Sequence, residues 1–355
     1  MPRIRHSLLS ALLITLLVTV ASGALYTWDG DDGAKKNDWT WGQKKNWDPE
    51  NQGRPQTGDD AVFGDSGTAG RRTVVLEANT VTNVDVTGTG SWTWSGGTLS
   101  VAGTFTYSSS GDSLFDGVLN GAGSLVIAAG AGEFAVTNDN TCAGNTNVQG
   151  GKLHVKNGGR MRNSGVRVTG GGKIYGNGRV KSLTVEDGGI TAPGESPGTT
   201  SVDTDETWGG AGIYEWEIND VDATKGGDPG WDWKDIDGSL NITATSGDKF
   251  VIDITSLKLD NTAGDIHDFV NTQQYSWVIA TAANGITGFA EDKFTLKTDN
   301  FSNGVGDGYF TISTQDGAGS EQSIALNFVP EPAAISFVLI GAAALLLRRR
   351  RRRAT

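Results

Sequence analysis

Apart from an apolar segment at each end, the 355-residue chain reads as all-β, with a parallel β-helix at its centre. Three observations carry that expectation. Apolar and polar residues alternate with period two, as in Val84-Asp85-Val86, Tyr214-Glu215-Trp216-Glu217-Ile218 and Phe250-Val251-Ile252-Asp253-Ile254, which is the pattern of half-buried strands. Gly, Asn, Asp and Ser separate these runs and supply turns, and between the end segments no amphipathic helical pattern appears. Finally, nearly half of the 52 glycines fall between residues 96 and 198, where a short unit recurs.

Residues 1–24 are expected to be a signal peptide. Arg3 and Arg5 precede an apolar run over 8–20, and Ser22-Gly23-Ala24 suits signal peptidase, with cleavage after Ala24. The alternative, a permanent N-terminal anchor, fits a longer run better.

Residues 25–95 form a Trp-rich N-terminal β module. Trp28, Trp39, Trp41 and Trp47 are followed by Trp92 and Trp94. Two readings stand side by side: the indoles seal one end of a β structure as a cap, or they are exposed and stack on sugar rings. The run Trp28-Asp29-Gly30, Asn46-Trp47, Pro55 and Gly58-Asp59-Asp60-Ala61-Val62-Phe63 resembles the opening module of bacterial surface proteins carrying autotransporter-associated β-strand repeats.

Residues 96–205 are the expected β-helix. The unit appears as Gly96-Gly97-Thr98-Leu99-Ser100-Val101, Gly123-Ser124-Leu125-Val126-Ile127, Gly150-Gly151-Lys152-Leu153-His154-Val155 and Gly171-Gly172-Lys173-Ile174-Tyr175. The copies lie roughly 20–30 residues apart, near one rung of a solenoid. Within them, Asn140-Thr141-Cys142-Ala143-Gly144-Asn145-Thr146-Asn147-Val148-Gln149-Gly150-Gly151 resembles the passenger-type repeat core Asn-x-x-x-Gly-x-Thr-x-Val-x-Gly-Gly. That resemblance implies a right-handed parallel β-helix in a large surface protein, with no catalysis in the repeat itself.

Residues 206–328 are a further β region, and Gly230-Trp231-Asp232 with Asp235-Ile236-Asp237-Gly238 resembles the segment that follows such repeats. Residues 329–355 close the chain. Pro330-Glu331-Pro332 leads into an apolar run over 333–347, then Arg348, Arg349, Arg350, Arg351, Arg352 and Arg353. A helix over the apolar run is about 22 Å long, short of the ~30 Å hydrocarbon core, so it spans only with thinning and arginine snorkelling. The arginines keep that end cytoplasmic and the rest outside. A plain anchor has these properties too. The order of parts resembles the PEP-CTERM sorting signal of Gram-negative bacteria, which implies a transient inner-membrane stage, an exosortase-type transpeptidase as partner, and transfer to the cell surface or its exopolysaccharide.

Composition narrows function further. All 41 acidic residues lie between 25 and 332, while eight of the 29 basic residues lie in the end segments. The exported part is thus near −20, which repels nucleic acid. A single cysteine, Cys142, excludes an internal disulfide framework. Asp29, Asp31 and Asp32, and better Asp232, Asp235 and Asp237, are weak calcium candidates; turn chemistry explains them as well. Glu215 and Glu217 share one strand face, the only obvious carboxylate pair for glycoside hydrolysis, and alternation predicts both in solvent. His154, between Leu153 and Val155, is expected to point outward, and no nucleophile motif or phosphate loop is present. The expectation is a non-catalytic structural or adhesive surface protein without cofactors. The alternatives are a glycan-binding protein using Trp28, Trp39, Trp41 or Trp47, or a β-helix polysaccharide lyase or hydrolase.

Overall fold

A computed structural model describes residues 23–29, 40–65 and 72–331. The apolar run of the expected signal peptide, Trp39, Asp31, Asp32, Pro332 and the expected transmembrane helix with its arginines lie outside the described residues. Those described are nearly all β. Their only helical pieces are three 3-10 turns, Lys44–Asn46, Glu50–Gln52 and Glu291–Lys293. Among them no helix is long and apolar enough to cross a membrane.

The strands form two sheets, of 18 and 12 strands, and the chain passes repeatedly from one to the other. Asn83–Val86, Thr104–Tyr107 and Ser124–Ile127 lie in the larger sheet; Thr93–Val101, Ser113–Asn120 and Glu133–Val136, each following one of them in sequence, lie in the smaller one. Each return lays a strand parallel to the one before. Val84 faces Phe105, Phe105 faces Leu125, Leu125 faces Thr146, and Thr146 faces Val166. The step is about 21 residues, as the bonds Trp92 N–H to Ser113 and Leu119 N–H to Asn140 show.

Period two puts every second side chain between the sheets. Trp94 stacks on Phe115 with centroids 6.0 Å apart, and Phe134 sits 5.4 Å from Phe105 and 5.1 Å from Tyr107. Further along, Trp208 lies flat on Phe250 at 4.8 Å. Each such fully buried apolar side chain stabilises the fold by roughly 1.5–3 kcal/mol. The Asn-x-x-x-Gly-x-Thr-x-Val segment serves this packing. Asn140 is buried, its Oδ1 accepting from Leu119 N–H at 2.8 Å and its Nδ2 donating to the Asn138 carbonyl at 2.7 Å. The hydroxyls of Thr146 and Ser164 meet at 2.7 Å, and Val148 is in the core. Burial pushes the Cys142 thiol up to about 11, so it is an unreactive packing group at neutral pH.

The structure corrects the repeat unit. The four glycine-led copies are not equivalent. The Gly96-Gly97 copy is inside Thr93–Val101, at a register shift, and the Gly123 copy opens Ser124–Ile127 in the other sheet. Of the three copies in the smaller sheet, only those leading into Lys152–Val155 and Lys173–Gly176 pair directly. Gly97 is needed at its bulge because a Cβ there would lie 1.7 Å from the Glu77 carbonyl oxygen. The strand Thr93–Val101 runs across position 95/96, and Leu183 pairs with Glu206 across 205/206.

The two ends differ from the middle. Leu25–Trp28 pairs parallel with Asp60–Phe63 and antiparallel with Trp47–Asp48. At the other end, Tyr275–Ala282, Gln322–Val329 and Tyr309–Asp316 form an antiparallel run.

Candidate functional site

The N-terminal tryptophans do not form a site. Trp28, Trp41 and Trp47 are 0% exposed. Trp47 lies 5.1 Å from Trp28 and 4.7 Å from Trp41 in edge-on contacts, and all three surround Phe63. No face is left for a sugar ring, which corrects the stacking alternative for these three residues. The aspartates expected to hold calcium are also dispersed. Asp232 is fully buried, its Oδ1 accepting from Gly198 N–H at 2.8 Å and its Oδ2 from Glu217 N–H at 3.1 Å. Asp237 accepts from Arg179 at 2.7 Å. With Asp235 on the strand Trp233–Ile236, the three carboxylates do not converge. Among the described residues no group of three His, Cys, Asp or Glu side chains is placed to hold a metal ion.

What the fold does assemble is a cleft of about 290 Å³ on the outer face of the 12-stranded sheet. Four neighbouring strands build it: Lys152–Val155, Lys173–Gly176, Ile190–Pro193 and Ile213–Ile218. In register, His154 faces Tyr175 and Tyr175 faces Ala192. Because Tyr214 pairs with Thr191, Glu215 continues the row. Strands stack about 4.8 Å apart, so a methyl between a phenol ring and a carboxylate leaves a trough. Ala192 is its floor, Tyr175 and His154 one wall, and Lys173 and Glu217 contribute the other polar edge.

The loop Pro193-Gly194-Glu195-Ser196 closes the trough. It folds back through paired bonds between Gly176 and Gly194, at 3.0 and 3.1 Å. Gly176 has φ 110°, and a Cβ there would lie 2.2 Å from the Val155 carbonyl oxygen and 2.9 Å from the His154 ring. Ser196 holds φ 85°, a conformation that costs a non-glycine residue of the order of 1–3 kcal/mol.

The charges are largely paired. His154 Nδ1 is 3.0 Å from Glu133 Oε1, and its Nε2 is 3.1 Å from Glu195 Oε1. Its ring stacks on Tyr175 at 4.1 Å. The Tyr175 hydroxyl donates to the other Glu133 oxygen, and Lys173 donates to Glu215. Burial, then the bond to Glu133, raise the Tyr175 phenol well above its ordinary value. Glu217 is different: its carboxylate has no ion-pair partner among the described residues. Its carboxyl is raised above the usual range, chiefly by burial and against the opposing effect of a Ser196 hydrogen bond and the nearby Lys173 charge. Behind it, burial and the Glu217 charge push Asp232 well above the carboxylate range.

Two expectations are corrected here. His154 does leave the sheet outward, but it is buried beneath Glu133, Tyr175 and Glu195 rather than solvated. Glu215 and Glu217 are not an open solvated face; one is tied to Lys173 and the other lines the cleft. Glu133, Lys173, Tyr175 and Glu195 had no functional role in the sequence reading, where Lys173 and Tyr175 entered only as members of a repeat copy. The signal that finds them is the rung length: Glu133 and His154 are 21 residues apart, and the pairs Tyr175–Glu133 and Lys173–Glu215 are 42 apart. No family model matches the sequence, and no curated protein matches it.

Proposed function

We propose that this chain is an exported, non-catalytic surface protein, a parallel β-helix acting as a spacer or adhesive element in an extracellular polysaccharide layer. A signal peptide delivers it, and an exosortase-type system sorts it at Pro330-Glu331-Pro332. The observation that carries this reading is where the strands start and stop. Among the described residues, the first strand begins at Leu25, directly after the expected cleavage residue Ala24, and the last ends at Val329, directly before Pro330. Glu331 is exposed. Exposure of Glu331 supports access at the proposed C-terminal processing point. At the N-terminal one, Ala24 N–H donates to Asp59 and its carbonyl accepts from Asp60 N–H, both at 2.9 Å, so cleavage there has to precede that pairing.

The non-catalytic part of the proposal is supported by the cleft. Glycoside hydrolysis uses two carboxyl groups flanking one bond. Here Glu133 and Glu195 are engaged by His154 and Glu215 by Lys173, which leaves Glu217 alone. Intact mass of the protein from the surface fraction of the producing cells tests the reading. A chain ending at 330–332, alone or with an adduct, is expected. A chain still carrying 333–355 would make the tail a permanent anchor and remove the sorting step.

A further inference from the structure

We propose that the cleft between Tyr175 and Glu217 is a subsite for a sugar ring bearing a primary ammonium group, an amino sugar of a glycan chain. This deepens the reading of the protein as a component of a polysaccharide layer and rests on it.

Shape and charge point the same way. The cleft, near 290 Å³, is at the lower end of small-molecule sites, which run from roughly 300 Å³ upward, and suits a single ring. Its floor and one wall are Ala192, Pro193 and the Tyr175 ring, an apolar surface for the C–H face of a pyranose. Opposite stands Glu217, the lining carboxylate without a cation. Glu195, bonded to His154 on one oxygen, has its side chain 52% exposed at the rim and keeps acceptor capacity for a hydroxyl or ammonium proton. Ser196 adds a hydroxyl beside Glu217.

The local balance is short of positive charge. Five carboxyl groups, Glu133, Glu195, Glu215, Glu217 and Asp232, are gathered around two basic side chains, His154 and Lys173. The Glu217 and Asp232 carboxyls are raised first by burial, and the neighbouring carboxylates add to that effect. A divalent cation fits poorly, since among the described residues no three potential ligands converge. One ammonium, with three donors, supplies a single positive charge at Glu217 and leaves the existing pairs intact. It also stabilises the ionised form of Glu217, so binding weakens as falling pH protonates that carboxyl.

The test is isothermal titration of the purified full-length chain with a β-1,4-linked glucosamine tetrasaccharide, its N-acetylated counterpart, and free lysine. The expected result is binding of the amine tetrasaccharide at least tenfold tighter than either comparison. Glu217→Gln, nearly isosteric, should weaken it at least tenfold with an unchanged melting curve, and once the sugar amines are fully protonated the affinity of the unaltered protein should fall as pH drops further. Equal binding of the acetylated sugar, equal binding of lysine, no binding of the tetrasaccharide, or a pH-independent affinity would each overturn the proposal. The comparisons on the unaltered protein need no variant to fold. Failure here leaves the mass of the surface form unchanged, so it is distinguishable from failure of the sorting proposal.

Discussion

Lys234 and Glu206 are both 0% exposed and lie 3.0 Å apart inside the fold. Trp208 Nε1–H also donates to Glu206 at 2.8 Å, and burial pulls the Lys234 ammonium below its ordinary value. Such a pair adds little net stability over an apolar substitute, but breaking it strands a buried charge. Lys234→Met is expected to cost about 3–5 kcal/mol by chemical denaturation, and Lys234→Met with Glu206→Leu to recover most of it. If the single variant is as stable as the parent, Glu206 is not held by Lys234. Alternation alone locates this lysine: Lys234 and Ile236 point inward from Trp233–Ile236, while Trp233 and Asp235 point outward. Nothing local in the sequence says that its partner is Glu206, a contact made only when Glu206–Trp208 enters the same coil.

At the level of elements, buried amides close the corners where strand pairing pauses. Asn140 joins two successive passes of the chain through its bonds to Leu119 and Asn138. Asn140→Ala would leave the Leu119 N–H buried without a partner, a penalty of about 1–3 kcal/mol. Urea unfolding should show that loss, and hydrogen exchange should show it concentrated at Leu119. A uniform effect over the chain would argue against a local corner role. Charges on the outer face of the larger sheet follow the same rung logic. Asp203 accepts from both Arg160 and Arg179, and Arg179 reaches on to Asp237. The asparagine is legible as part of a turn-rich motif. The Arg–Asp ladder is not, because its members are spaced by whole rungs rather than by local periodicity.

For the whole molecule, most strands of the two sheets pair in parallel with a strand one return of the chain away, so stability builds up from neighbour to neighbour. The N-terminal end is closed by Trp28, Trp41, Trp47 and Phe63 packed over Trp92 and Trp94. Deleting residues 25–65 would bare those indoles and the parallel edge of Asn83–Val86, which pairs with Asp60–Phe63. Open edges pair with other chains. Size-exclusion chromatography of the deletion is expected to show assemblies or precipitate where the parent elutes as a defined species; an unchanged elution volume would show that the stack needs no such closure. The opposite end turns to antiparallel pairing at Tyr275–Ala282, ending the parallel ladder of that sheet.

The sequence by itself determined the all-β character and the inward face of most strands. Both depend on local alternation and turn chemistry, which act within a few residues. It did not determine the phase of the coil. Glycine spacing misled because Gly97 serves a bulge inside a strand while Gly151 and Gly172 lead into strands. Only the tertiary structure decided that parallel partners recur about 21 residues apart, as the His154–Glu133 separation shows. With that period set, Glu133, His154, Tyr175 and Glu195 become neighbours, and Ala192 leaves a cleft before Glu217. The physical reason is that hydrogen bonds between coils, rather than any local preference, set which side chains from distant positions share a surface.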